Sequence, residues 1–334
     1  MKYLLAFVLL FITLQTNSQV SDFKNINFNK ADNNAKKSKG RNLQNLPLLT
    51  YDLTSNLKTD VEKFRAIYKW ICSNVKGDYN MHRKVRRKRN KYKNDSNSFL
   101  KWNKEYSKTV FKSLLEDKKT MCTGYAYLLK TMTSIANVDC KIINGYGRNN
   151  SANIGKLSIP NHSWNAVFLN NKWYLVDATW ASGYTDLNKN KFIFDYNDGY
   201  FLTEPKLFVK NHLPLNKKWM LLENKITTAK EFLNAPLIYS KIIKHKITPV
   251  LPKKMENKIS KNEEITFALK ASESIDLSKF KVQTSLTRTV KPISILRKKD
   301  SILILHKFKI KGFYDVHILY KNDVIVTYTF NVQK

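Results

Sequence analysis

The spacing of apolar residues changes along this 334-residue chain, and that change limits the folds open to it. Val61, Phe64, Ile67, Tyr68, Ile71 and Val75 recur every three or four positions and mark one helix face. Thr59-Asp60-Val61-Glu62 ahead of them is a capping box, and Gly77 lies past the end. Phe99, Trp102, Tyr106, Val110, Phe111, Leu114 and Leu115 predict a second helical stretch; Tyr125, Leu128, Leu129, Met132 and Ile135 predict a third. From Cys140 onward strand patterns take over. Cys140 to Gly147 reads as a strand, His162 to Leu169 as another, and Trp173 to Trp180 as its return across the tight turn Asn170-Asn171-Lys172. Beyond Lys258 the alternation is sustained through Ile265, Phe267 and Leu269; Val282, Thr284 and Leu286; Ser301 to Ile310; and a hairpin over Lys321-Asn322-Asp323. Short strands at this spacing predict a small β-sandwich of immunoglobulin-like kind. The pattern is therefore α+β, with an all-β module at the end.

Between these blocks the composition supplies boundaries. Residues 1–18 have a secretory-signal pattern: Lys2, the apolar run Leu4 to Leu14, and small residues at Thr16-Asn17-Ser18. Export to a periplasmic or extracellular space is expected, with cleavage near Ser18. The run is too short to span a membrane, and no transmembrane segment is expected elsewhere. Residues 19–45 are rich in Asn, Lys and Ser and are expected to form a mobile polar leader. A catalytic domain is then expected over 46–240, a Pro- and Lys-rich linker over 241–258, and the β-module over 259–334.

The formal charge is +33, with lysine spread over the whole chain. Such an excess implies attraction to polyanions, but no nucleic-acid-binding motif is present and no specific nucleic acid is expected. The densest basic block runs from His82 to Lys93. Self-repulsion makes it a solvated loop or a mobile helix. The sharper reading is that Arg83 to Lys93 docks an acidic surface polymer.

The chain has three cysteines, Cys72, Cys122 and Cys140. An odd count leaves at least one free thiol. Cys72 and Cys140 pair, or all three are reduced, and spacing does not choose between these. By itself Cys122 reads as one more small buried residue. Its position changes that reading, because it opens a helical stripe, where the helix dipole and free N–H groups favour a thiolate. On the later hairpin, His162 begins one strand, and Asp177 shares a face with Leu175 on the next. An inward carboxylate needs a partner, and the histidine is placed to be one. Cys122, His162 and Asp177 are then the parts of a nucleophilic triad: nucleophile, base and orienting carboxylate. The backbone N–H of Cys122 is one candidate for holding an oxyanion. No Cys/His set has zinc-ligand spacing, and neither a metal nor a cofactor is expected. His212, before Leu213-Pro214, is read as structural.

At these residues the sequence resembles the transglutaminase-like superfamily. The carrying stretches are Cys122-Thr123-Gly124-Tyr125-Ala126, His162-Ser163-Trp164-Asn165-Ala166-Val167 and Trp173 to Trp180. The tail, Tyr200-Phe201-Leu202-Thr203-Glu204-Pro205 with His212-Leu213-Pro214 and Trp219, is similar to the subgroup that includes kyphoscoliosis peptidase. The likeness covers roughly residues 48–235 and keeps the order Cys, His, Asp. It implies a papain-like core, with helices packed on an antiparallel sheet. It also implies Cys122 as nucleophile, His162 as base and Asp177 as orienter. Trp164, Tyr125 and Trp180 are the candidate substrate-binding residues. The expected activity is cysteine-dependent acyl transfer from protein or peptide amides, by a peptidase, an amidase or a transglutaminase. The alternative is a silent relative that binds acidic cell-surface polymers or proteins. Thr120 stands where many relatives have glycine, and the basic block resembles an insertion.

Overall fold

The computed structural model describes residues 20–150, 152–157, 159–223, 226–285, 287–290 and 294–334. The expected signal at 1–18 and the strand position Leu286 lie outside the described residues.

The first elements correct an expectation. The composition of residues 19–45 predicts a mobile leader, yet they contain the helix α1 (Asn29–Lys37), whose Ala31 and Ala35 are buried with Phe23 and Leu43. Small residues let α1 lie close against α3 (Asp60–Asn74), with α2 (Leu46–Thr54) alongside. The polar composition of this stretch belongs to its outer face. The predicted capping box opens α3, with the Thr59 hydroxyl accepting from Glu62 N–H at 3.3 Å. Phe64, Ile67, Tyr68 and Ile71 on α3 form the centre of the main core. On the same helix Arg65, 6% exposed, donates to both carboxylate oxygens of Asp32 at 2.6 and 2.9 Å and also pairs with Asp198.

The basic block is not a loop. It forms α4 (Tyr79–Lys91), whose Asp78 N-cap accepts from Met81 N–H at 2.9 Å. Met81 and Val85 are buried with Val110, from α5 (Ser96–Asp117), and with Met121. Two apolar residues four apart are enough to give this charged helix a packed side. α6 (Cys122–Ile135) follows, and its Leu128, Leu129 and Met132 enter the main core.

Four antiparallel strands make the sheet against α6: β1 (Cys140–Gly147), β2 (His162–Leu169), β3 (Lys172–Val176) and β4 (His212–Pro214), in the order β3-β2-β1-β4. Asn165 on β2 donates to the Ala126 carbonyl of α6 at 3.0 Å. The strand pattern predicts a return strand as far as Trp180, but it ends at Val176. Asp177 becomes the N-cap of a short helix, α7 (Ala178–Ser182), because its carboxylate accepts from the N–H groups of Thr179 and Trp180. An N-cap carboxylate satisfies donors that a strand would have used for pairing.

The C-terminal module consists of two sheets, as expected. One has the order β5-β7-β11-β10, from β5 (Thr248–Leu251), β7 (Glu264–Lys270), β10 (Ser294–Lys298) and β11 (Ser301–Lys307). The other runs β6-β13-β12-β8-β9, from β6 (Glu256–Ser260), β8 (Phe280–Thr284), β9 (Thr287–Val290), β12 (Gly312–Tyr320) and β13 (Asp323–Gln333). Phe267, Val282, Ile304, Val316 and Tyr328 fill the space between them. The linker expectation over 241–258 is also corrected. Those residues hold most of a helix, Ser240–Lys244, then β5 and the start of β6. Just before them Leu237–Ile238 pairs with β13, so backbone hydrogen bonds join the two parts. Among the described residues no helix is long and apolar enough to cross a membrane.

Candidate active site

Cys122 is the first residue of α6 and is buried at the end of a cleft of about 220 Å³. As the first helical residue it has an N–H with no acceptor inside the helix. Thr120 packs against Gly124 in the first turn of α6. A side-chain carbon on Gly124 would lie 1.9 Å from the Thr120 hydroxyl, so Gly124 makes room for the threonine that stands at the departing position.

β2 delivers His162 to the same point. One side of the His162 imidazole faces the Cys122 sulfur in the cleft lining, and the imidazole and the Ser163 N–H both favour the thiolate. On the other side, Nε2 lies 2.7 Å from Asp177 Oδ2. With Nε2–H donating to the carboxylate, Nδ1 is free to accept the thiol proton. Trp180 stacks on the His162 ring at 4.8 Å and 22°. Gly147 permits this stack, because a Cβ there would meet His162 and Trp180 at 3.0 Å.

Asp177 is fully buried and accepts four hydrogen bonds. Oδ1 takes the N–H groups of Thr179 (2.8 Å) and Trp180 (3.1 Å), and Oδ2 takes Nε2 of His162 and Nε2 of His212, the latter at 3.0 Å. Burial alone would raise its pKa, but the His162 charge and these bonds hold it well below the usual carboxylate range. The reciprocal effect acts on His162. Burial opposes its protonation, yet Asp177 and the neighbouring sulfur push its pKa up to about 10. At Cys122 burial again opposes charge. It is outweighed by His162, the Ser163 N–H and the positive charge of Arg89, and the thiol lies below its ordinary value. The arrangement favours a thiolate–imidazolium pair.

His212 is the residue whose part in the site the sequence did not reveal. β4 places it at the end of the sheet beside β1, where it stacks on Phe208 at 3.9 Å and donates to the free side of Asp177. Burial pushes its pKa down to about 4, so it is neutral. His212 Nδ1 lies 2.6 Å from Asn211 Oδ1; a neutral ring that donates through Nε2 accepts at Nδ1, so this contact calls for the amide with its oxygen and nitrogen exchanged. His162, Asp177 and His212 bring possible metal-ligand atoms within 4.8 Å of one another. Their spacing in sequence, 15 and 35 residues, gave no sign of it. Both short N–O distances are accounted for as hydrogen bonds to one carboxylate oxygen.

The candidate substrate-binding residues separate. Trp180 lines the cleft. Trp164 and Tyr125 do not, and the expectation for them is corrected. Each is 1% exposed; Trp164 packs on Phe208 and His212, and the Tyr125 hydroxyl donates to the Val75 carbonyl. Both point into the core because α6 and β2 are covered on both sides. Cys72 and Cys140 are free and buried, so the pairing alternative is not realised. Burial raises both thiols, Cys140 to about 12. The cleft wall facing Cys122 comes from α4, through Tyr79, His82, Arg86 and Arg89. The buried pair Met81 and Val85 was legible in the sequence and implies this second face.

A family model for the transglutaminase-like superfamily matches residues 48–178, a span that contains Cys122, His162 and Asp177. Kyphoscoliosis peptidase of Homo sapiens and its counterpart in Mus musculus are each 34% identical over 203 residues, covering 57% of this chain and 28% of those proteins. Hillarin of Drosophila melanogaster is 28% identical over 205 residues, covering 58% and 22%. The chain thus spans about a quarter of the length of the curated relatives it matches. Among solved structures, one described as a TGase aligns with TM-score 0.29 and 18% identity, over 54% of this chain and 40% of that one.

Proposed function

We propose a catalytic role for a chain that belongs, through residues 48–178, to the transglutaminase-like superfamily: cysteine-dependent acyl transfer from protein or peptide amides. One observation carries this reading. Cys122 and His162 line one cleft, and the His162 ring is hydrogen-bonded on its far side to the buried Asp177 carboxylate at 2.7 Å. In the proposed reaction His162 takes the Cys122 proton and the sulfur attacks the amide carbonyl carbon. The Cys122 N–H faces the oxyanion that forms. As the C–N bond breaks, the imidazolium returns the proton to the leaving nitrogen, leaving a thioester on Cys122. Water or an amine then attacks the thioester and the thiol is regenerated. Hydrolysis is the favoured second step, because water is always at hand. Asp177 keeps the His162 ring in the tautomer that can accept at Nδ1. Within this proposal the chain is exported by its first 18 residues and meets its substrate outside the cytoplasm.

The test is labelling with iodoacetamide at neutral pH, followed by peptide mapping. Cys122 is expected to label first, with Cys72 and Cys140 protected, and Cys122→Ala to abolish the fast phase. Equal, slow labelling of wild type and Cys122→Ala would sink the activated-nucleophile reading. Salt-sensitive binding to an acidic polymer with no turnover of any peptide would then favour the binding alternative.

A further inference from the structure

We infer that the cleft selects protein substrates with an Asp or Glu side chain beside the amide that Cys122 attacks, held by Arg86 and Arg89 of α4. The inference rests on Cys122 being the acyl-transfer nucleophile. Met81 and Val85, buried against Val110 and Met121, fix the rotation of α4. That rotation turns His82, Arg86 and Arg89, spaced by four and three residues, into the cleft with Cys122 and His162. The opposite wall is Gly147, Asn149, Asn153, Asn161 and Trp180. Among the described lining residues there is no carboxylate to neutralise the arginines.

The other cations of α4 do not line the cleft. Lys84 lies over the Tyr106 ring at 4.4 Å, and Lys88 lies over Trp102 at 5.6 Å. Arg86 has no hydrogen bond or ion pair among the described residues. Arg89 is half-buried, lies over the Phe99 ring at 5.8 Å and is anchored by one Nη1–H on the Pro160 carbonyl, which leaves donors of its fork uncommitted. Its charge is felt at the Cys122 sulfur. Two guanidinium groups in a walled cleft suit a carboxylate, which they can bind through paired N–H groups. A positively charged cleft also concentrates anionic ligands ahead of contact. The outward basic face of α4 is a solvated surface; these two residues are the part of the block that faces the chemistry.

The experiment compares alkylation of Cys122 by iodoacetate and by iodoacetamide. The reagents differ in charge, and both lose iodide to the thiolate. The iodoacetate-to-iodoacetamide rate ratio is expected to be roughly tenfold higher in wild type than in Arg86→Gln/Arg89→Gln, the low end for a charge-focusing cleft. Added salt should shrink the difference. Arg86→Gln alone, at an exposed position outside the packing, should lose part of the ratio, and Arg86→Lys should recover part of it. Peptidyl vinyl sulfones differing only as Glu against Gln beside the electrophile should show the same preference. If Cys122 labels quickly with the same ratio in wild type and double variant, charge selection is overturned and the nucleophile stands. Slow labelling of Cys122 by both reagents overturns both readings.

Discussion

Replacing Asp177 by Asn tests the site through a single atom. The carbonyl of the new amide would keep the two bonds from the N–H groups of Thr179 and Trp180, so the cap on α7 survives. The change falls on the side facing the two rings. An NH2 there can only donate, so His162 and His212 must each present an unprotonated Nε2. Both protons then move to Nδ1. For His212 this is harmless, because the Asn211 amide 2.6 Å away can present its oxygen to Nδ1–H. For His162 it is fatal to the chemistry, because the nitrogen facing Cys122 now carries a proton and cannot accept one. The variant exchanges two charge-assisted bonds for neutral ones, a loss of about 1–3 kcal/mol of stability, and it should fold. The thiol loses its counterion while staying buried, so its pKa moves from below the ordinary thiol value to above it. Each unit of that move slows alkylation on the acid side about tenfold, or 1.36 kcal/mol, and at least one unit is expected. Any acyl-transfer activity should fall by about four orders of magnitude, the size of the wrong-tautomer effect in a serine triad. The assay is the iodoacetamide rate against pH, with circular dichroism as the fold control. A folded Asp177→Asn protein with an unchanged pH profile would refute the tautomer argument.

Further outcomes follow from this network and from the separate ion pairs of Arg65. Because His162 has its pKa raised to about 10, the imidazolium is present below that pH and is lost as pH rises through it. Acyl transfer, which needs the imidazolium as acid, should decline above about pH 10 while iodoacetamide labelling, which needs only the thiolate, persists; parallel decline of both would contradict this. The stability given by the His162–Asp177 pair follows the same sign, full below the unfolded histidine value and lost through about pH 10. His212→Phe keeps the stack on Phe208 but removes a donor to the buried carboxylate, and should cost about 1.5–3 kcal/mol in urea unfolding while leaving Cys122 reactive. A loss of reactivity equal to that of Asp177→Asn would instead put His212 in the proton-transfer chain. Arg65→Met should destabilise by about 3 kcal/mol, the lower end for breaking a buried ion pair, because Asp32 and Asp198 remain partly in water. A change below about 1 kcal/mol would show that these contacts do not anchor α1.

Local pattern was enough wherever neighbours in sequence are neighbours in space. The capping box before Asp60, the stripe on α3 and the β-module obey this rule, since helix and strand periods are short-range properties. The failures share one cause. Residues 19–45 look polar, yet two alanines and two larger apolar residues were enough to dock α1, because α3 offered a preformed apolar surface. Residues 241–258 look like a linker, yet backbone pairing just before them and the strands within them tie the module down. Propensity does not register a surface supplied by another element.

The sequence by itself determined the order of helices, sheet and β-module, and which thiol, imidazole and carboxylate belong together. Those choices follow from periodicity, from the helix start at Cys122 and from the need of an inward carboxylate for a partner. Only the tertiary structure decided that Asp177 serves two histidines, that Trp164 and Tyr125 face the core, and that α4 puts Arg86 and Arg89 in the lining of the cleft that holds Cys122. Each of these depends on which faces of distant elements meet. That is fixed by packing across the whole fold, where a single rotation of α4 or one strand beside β1 sets what surrounds the thiol.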